Sequence, residues 1–289
     1  MYEYNKSVKS SVSDELVNTY LLRPLAGVIV RLLYNTRITP NQVTVASTVV
    51  GVVAALFYVK GETVAIVCAG LLVTLKDVLD SADGQLARAR QQYSRQGRFL
   101  DSIGDFIVNF AIFGAIGWYL SWKQSDAIYG GLAVVGFAGI TFRVSYHVFY
   151  QASFLHLQRK YEVNRITEEV QEDDEQGDRV TLLSQRLFQL IYGWQDQFVV
   201  RLDLWSMGGD RRDDLQKSWY SDVVALRLSG LLGMGTELFL LTLCSLFGKL
   251  ELYLWLNAGL MNAVLVLNLL YRRFPLRKRL AVKAVGSSS

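Results

Sequence analysis

The residues of this chain best suited to chemistry lie in two runs: Asp80-Ser81-Ala82-Asp83-Gly84-Gln85-Leu86-Ala87-Arg88, then, after eight residues, Gly97-Arg98-Phe99-Leu100-Asp101-Ser102-Ile103-Gly104-Asp105. Offsets of three and four place Asp80, Asp83, Gly84, Ala87 and Arg88 on one helical stripe, and Gly97, Asp101 and Asp105 on a second. The Arg- and Gln-rich stretch between them, Ala89 to Gln96, suits a turn at a water edge. The stripes can then face each other in an antiparallel pair, bringing four carboxylates into one small volume. Unpaired at mid-bilayer, each such charge would cost on the order of 3 kcal/mol. The acids can share protons, pair with Arg88, or bind a hard divalent cation through oxygen. Two metals about 3.5–4 Å apart, bridged by shared acids, make a clamp for phosphoryl transfer. Gly84, Ala87 and Gly97 have little or no side chain, so a flat base and a diphosphate can approach the backbone there. Arg88 can fork onto phosphate oxygens.

The spacing D-x2-D-G-x2-A-R-x8-G-x3-D-x3-D resembles the signature of the CDP-alcohol phosphotransferases, the CDP-alcohol phosphatidyltransferase family, and meets each of its defined positions. The resemblance implies an integral membrane fold of six transmembrane helices, a homodimer, and Mg²⁺ or Mn²⁺ in the site. It further implies that a CDP-linked substrate is cut at its diphosphate, the phospho-group passing to an alcohol while CMP leaves. Carried over by position, Asp80, Asp83, Asp101 and Asp105 are the expected metal ligands. Asp105 is also the expected base for the acceptor hydroxyl, and Gly84, Ala87, Arg88 and Gly97 line the CMP site. Pro40-Asn41-Gln42-Val43-Thr44 resembles the start of the family's first span, which makes Asn41 and Thr44 nucleotide candidates; helix capping is the other reading. Acids in membrane helices can also serve ion or proton pathways, but those roles do not need Gly84, Ala87, Arg88 and Gly97 at these offsets.

The elements that must position these residues are apolar helices. With 51% hydrophobic residues among 289 and three prolines, the composition points to one membrane domain and away from a soluble enzyme. A net charge of +4 and a pI near 9.0 suit either nucleic acid or an anionic membrane surface, and the charge distribution favours the membrane. Cys68 and Cys244 sit in apolar runs, so neither reads as a disulfide partner or zinc ligand. Residues 1–9 are polar and show no signal-peptide pattern, so the first span is expected to act as its own insertion signal.

The fold expected is all-α and polytopic: six transmembrane helices preceded by N-terminal interfacial amphipathic helices. Residues 1–38 form that interfacial segment, with Pro24 breaking or kinking it. Residues 39–158 hold the first four spans: Thr39 to about Val59, a second from near Thr63, a third from Gly97 to Trp122, and a fourth from Tyr129 to about Phe154. Residues 159–219 are a cytoplasmic insertion, acidic from Glu162 to Arg179 and amphipathic from Leu183 to Phe198, suited to a lid, a dimer contact or a membrane-surface helix. Residues 220–285 hold the fifth span, Val223 to Phe247, the sixth, Leu252 to Tyr271, and a basic tail of Arg272, Arg273, Arg277, Lys278 and Arg279 suited to anionic headgroups. Residues 286–289 read as a cloning remnant.

Within the spans, Arg143 and His147 lie four apart on one face, and Glu237 sits near the middle of the fifth. Arg143 is a candidate to grip an anionic group on the acceptor or lipid donor, with an ion pair to Asp77 or Glu237 as the structural alternative. His147 and Glu237 are weaker site candidates. Lys76 and Asp77, deeper than the signature, read as an ion pair, with Asp77, three residues before Asp80 and close to its face, shaping the substrate pocket as the other reading. The three expected outer loops carry only Lys60, Lys123 and Lys249, so the positive-inside rule places both termini and the four acids toward the cytoplasm of an inner-membrane protein.

The activity this supports is a phosphotransferase of phospholipid synthesis. It moves the phosphatidyl group of a CDP-alcohol, CDP-diacylglycerol by preference, to an acceptor alcohol with release of CMP. One alternative reverses the polarity, with a soluble CDP-aminoalcohol or CDP-inositol donor and a lipid or inositol-phosphate acceptor. The other is a membrane transporter or cation-binding scaffold. No nucleic-acid partner is expected.

Overall fold

The computed structural model describes residues 4, 15–92, 94–158, 179–209 and 213–280, and among them every regular element is helical. Most of the N-terminal segment before residue 15, including Lys9, the acidic part of the insertion up to residue 178, and residues 281–289, whose last four read as a cloning remnant in the sequence, lie outside the described residues.

A π-helical turn at Asn18–Leu22 leads into α1 (Arg23–Leu33), and the chain passes Pro24 without breaking; the proline follows directly on the wider turn, where the regular i to i−4 ladder is already interrupted. Leu22 of the π-helical turn and Ala26 and Val30 of α1 form an inner face that packs against Val43, Val78, Ala82 and Leu86, while Leu25, Val28 and Leu32 are left exposed. Helices α2 (Pro40–Lys60), α3 (Thr63–Arg90), α4 (Arg95–Gln124) and α5 (Ile128–Leu157) follow. α2 starts at a capping box in which Thr39 accepts from the Gln42 amide and Gln42 accepts from the Thr39 amide. It ends at Gly61, whose φ of +69° is the left-handed geometry glycine tolerates. Arg90, at the end of α3, donates to the carbonyls of Leu33, Tyr34, Thr36 and Ile38, tying the C-terminal end of α1 to the end of the motif helix.

The insertion is helical where described. α6 (Arg179–Phe188) and α7 (Trp194–Met207) are joined through a π-helical turn at Gln189–Gly193, and α8 (Asp213–Tyr220) follows. α7 carries Asp203, whose buried carboxylate accepts from Tyr150, Trp219 and Tyr220 at 2.7–2.8 Å. The insertion is therefore bound to the end of α5 by a polar hub with its acceptors used.

The fifth apolar segment is not one straight helix, as the sequence suggests. It is α9 (Val223–Gly230) and α10 (Met234–Leu246), bent by 41° at Leu231–Gly233. The glycines at 230 and 233 weaken the helix here, and Glu15 from the N-terminal segment fills the corner, accepting from the Thr236 amide at 2.9 Å in the first turn of α10. The sixth segment is longer than expected: α11 (Leu250–Leu280) runs through the basic cluster and takes Pro275 into a π-helical turn. Among the described residues four helices, α2, α4, α5 and α11, are long and apolar enough to cross a membrane, five if the bent pair counts as one span.

The largest apolar cluster joins α2, α3, α4, α5, α10 and α11. Beside it a buried polar cluster crosses the bundle. Arg143 Nε and Nη2 donate to Glu237 at 2.5 and 2.8 Å, Arg143 Nη1 donates to Asn262 at 2.6 Å, and Asn257 donates to Glu237 at 2.6 Å. Both charged side chains are 0% exposed. Removing one partner leaves an uncompensated buried charge. Arg143→Met or Glu237→Gln is therefore expected to destabilise the protein by about 3–5 kcal/mol, and the double change Arg143→Met/Glu237→Leu to recover most of that loss, in thermal unfolding followed in detergent.

Candidate active site

Three helices build the site. α3 brings Asp80 and Asp83 on its last turns, the chain reverses after Gln91, and α4 brings Asp101 and Asp105 on its first turns. The reversal is set locally. Gln91 takes a φ of +55° at the end of α3, and Ser94 caps α4 by accepting from the Gly97 amide at 2.9 Å. α2 closes the third side, held near by small residues. A Cβ on Gly104 would collide with Thr48, and one on Gly97 would come within 2.7 Å of Asn41 Oδ1.

Asp80, Asp101 and Asp105 each offer a carboxylate oxygen within 4.8 Å of the others. Asp83 stands apart from this group of three: one of its oxygens accepts from Thr44 Oγ1 at 2.5 Å. The two halves of the motif do converge, and Thr44 and Asn41 of α2 sit beside them, Thr44 on Asp83 and Asn41 against Gly97. The Arg88 guanidinium lies along Gly84, 3.3 Å from where a Cβ would be. Ala87 lies on the same helix, one turn from Asp83.

A hard divalent cation fits these residues. The clustered donors are all carboxylate oxygens, and Asp101 Oδ1 is buried without a hydrogen-bond partner. Burying an acceptor without a donor is costly, and a cation would satisfy it.

Lys76 is the residue sequence reasoning undervalued. Instead of pairing with Asp77 alone, its ammonium donates to Asp105 and lies 3.5 Å from both Asp80 and Asp77. The signal was available, because 76 and 80 are one helical turn apart, but the closeness of Asp105 is a tertiary contact. Arg143 and Glu237 have a different placement from the one expected of site residues: all three guanidinium nitrogens are committed to Glu237 and Asn262 inside the bundle. His147 is buried one turn further along α5. The basic tail lines a separate cleft of about 610 Å³ with Arg273, Phe274, Pro275, Arg277 and Lys278, sharing no residue with the aspartate cluster.

The insertion also reaches this site. Phe188 packs on Phe99 with ring centroids 5.3 Å apart, and Tyr192 donates to the Ser102 carbonyl at 2.9 Å, so the insertion lies along the face of α4 next to Asp101. The sequence leaves its role open because nothing local encodes these contacts.

Residues 37–166 match the family model described as CDP-alcohol phosphatidyltransferase. This stretch is a CDP-alcohol phosphatidyltransferase domain. It covers α2 to α5 and hence every aspartate of the cluster. Among similar proteins, the bifunctional IPC transferase and DIPP synthase of Thermococcus kodakarensis is 34% identical over 104 residues, 36% of this chain and 23% of that protein. Inner membrane protein YnjF of Escherichia coli is 33% identical over 118 residues, 41% of this chain and 54% of that protein. The phosphatidylinositol phosphate synthase of Corynebacterium glutamicum is 33% identical over 100 residues, 35% of this chain and 43% of that protein. The matched stretch thus spans from under a quarter to about half the length of these relatives.

Thr44 links the phosphatidyltransferase domain's first helix to its aspartates through one hydroxyl. Thr44→Val, which keeps the shape and removes the donor, is expected to cost about 1–3 kcal/mol in thermal unfolding, with Thr44→Ser near wild type.

Proposed function

We propose that the protein is an integral membrane phosphotransferase that moves the phosphatidyl group of a CDP-alcohol, CDP-diacylglycerol by preference, to an acceptor alcohol and releases CMP. The observation that carries this reading is the convergence of Asp80, Asp101 and Asp105 within a CDP-alcohol phosphatidyltransferase domain. Two divalent cations, Mg²⁺ or Mn²⁺, held by Asp80, Asp83, Asp101 and Asp105, would neutralise the diphosphate and the charge that develops on it. Asp83, oriented by Thr44, keeps the α2 side of the cluster in register. Gly84, Ala87 and Gly97 leave the backbone open to the nucleotide, with Asn41 at the edge, and Arg88 donates to phosphate oxygens. Asp105 accepts the proton of the acceptor hydroxyl. The alkoxide oxygen then bonds to the β-phosphorus in line as the bond to the bridging oxygen breaks, and CMP leaves with that electron pair.

Six spans accommodate this chemistry if α3 also crosses the membrane. Its charges, Lys76, Asp77, Asp80 and Asp83, lie toward one end and meet one another or Asp105 and Thr44, which supports burial within the bundle. In this arrangement α1 lies in the headgroup region, its exposed Leu25, Val28 and Leu32 toward lipid. Both termini and the acids face the cytoplasm, and the protein is a homodimer. The basic cleft at Arg273, Arg277 and Lys278 suits anionic headgroups. The name of the Corynebacterium relative makes an inositol phosphate a first acceptor to try.

CMP release, measured for CDP-diacylglycerol and CDP-ethanolamine with a panel of acceptors including inositol phosphate, with Mg²⁺ or Mn²⁺ and with chelator, tests the reading. CMP from the lipid donor alone is expected; release from the soluble donor alone would reverse the polarity, and ion flux without CMP would point to a transporter. Asp105→Asn is expected to abolish CMP release while part of the metal-dependent thermal shift survives, and near-normal turnover would remove Asp105 as the base.

A further inference from the structure

The four-aspartate spacing does not call for a lysine, yet Lys76 is built into the cluster. It lies one turn deeper than Asp80 on α3, with its side chain 2% exposed. Its ammonium donates to Asp105 Oδ1 and stands 3.5 Å from Asp80 Oδ1, the same two carboxylates that belong to the three-oxygen group. A third acid, Asp77, lies 3.5 Å from the ammonium, is 6% exposed, and is outside both the signature and the oxygen group.

We propose that Lys76 is a resident counter-cation that holds the Asp105 carboxylate until the donor's diphosphate arrives, so that the chain takes up the cation shared by Asp105 together with the nucleotide and not before it. This rests on the two-cation reading above. Three carboxylates, Asp77, Asp80 and Asp105, meet one ammonium. A first divalent ion can use Asp80 and Asp101, whose orphaned Oδ1 asks for a partner. A second must take Asp105 from the lysine while facing its positive charge. The diphosphate brings negative charge to offset that repulsion. The four-carbon stem of lysine is flexible, and Asp77 lies within reach as the acceptor to which the displaced ammonium turns. That gives a place to a buried acid for which metal binding has no need.

The test is Mn²⁺ binding to the full-length protein in detergent, counted by loss of the free-ion electron paramagnetic resonance signal, with and without CDP. Wild type is expected to bind one Mn²⁺ per chain alone and a second with CDP. Lys76→Met is expected to bind both without CDP, the second at least about tenfold tighter than in wild type, as removal of a unit charge a few ångströms away requires even with water-like screening. Lys76→Arg keeps the charge and should behave as wild type. Lys76→Met/Asp77→Asn removes the lysine at constant net charge, carries the same expectation as Lys76→Met, and serves if that variant does not fold. Equal uptake by wild type and the lysine-free variants in the absence of CDP would overturn the proposal. Failure of the two-cation reading shows separately, as no Mn²⁺ uptake by any of these proteins or as uptake that Asp101→Asn leaves unchanged.

Discussion

Carboxylates crowded among apolar helices repel one another and lose hydration, so they stay together only where cations and donors reach them. That constraint shapes the first half of this molecule. Lys76 stands against Asp105 and near Asp80, and the Thr44 hydroxyl meets Asp83. Each donor sits on a neighbouring turn or a neighbouring helix, so the backbone must be close enough to deliver it. Small residues make that possible: Gly104 lets α4 lie against Thr48 of α2, and Gly97 lets it lie against Asn41.

A second buried charge pair, Arg143 with Glu237, solves the same problem differently. There one guanidinium faces one carboxylate, with Asn257 donating to Glu237 and Asn262 accepting from Arg143, so the charges balance one to one. The aspartate cluster has more acids than cations, and Asp101 keeps an oxygen without a partner. The contrast separates a charge-balanced structural cluster from one with an excess of carboxylates.

Much of this was legible in the sequence because the helical period turns spacing into facing. The offsets among Asp80, Asp83, Asp101 and Asp105 suffice to bring both runs together, and Thr39, Pro40 and Gly61 mark the ends of α2 through capping chemistry. What stayed hidden depends on contacts between distant segments. Apolar periodicity from Val223 to Phe247 reads as one helix, since the glycines that permit a bend do not by themselves impose one. Arg143 had two acids as possible partners, and only packing selects Glu237. Lys76 reads as the partner of its sequence neighbour because the approach of Asp105 depends on how α4 docks. The fit of Phe188 and Tyr192 along α4 has no local signal.

Glu15 and Thr236 are 221 residues apart, yet the carboxylate of one completes the helix start of the other. A ribosome delivers Glu15 long before it delivers its partner. Until Thr236 is made this acid must remain hydrated or find another companion, and the corner between α9 and α10 can close around it only after that residue has emerged. Consolidation of this corner is thus tied to a segment made 221 residues after the acid that completes it.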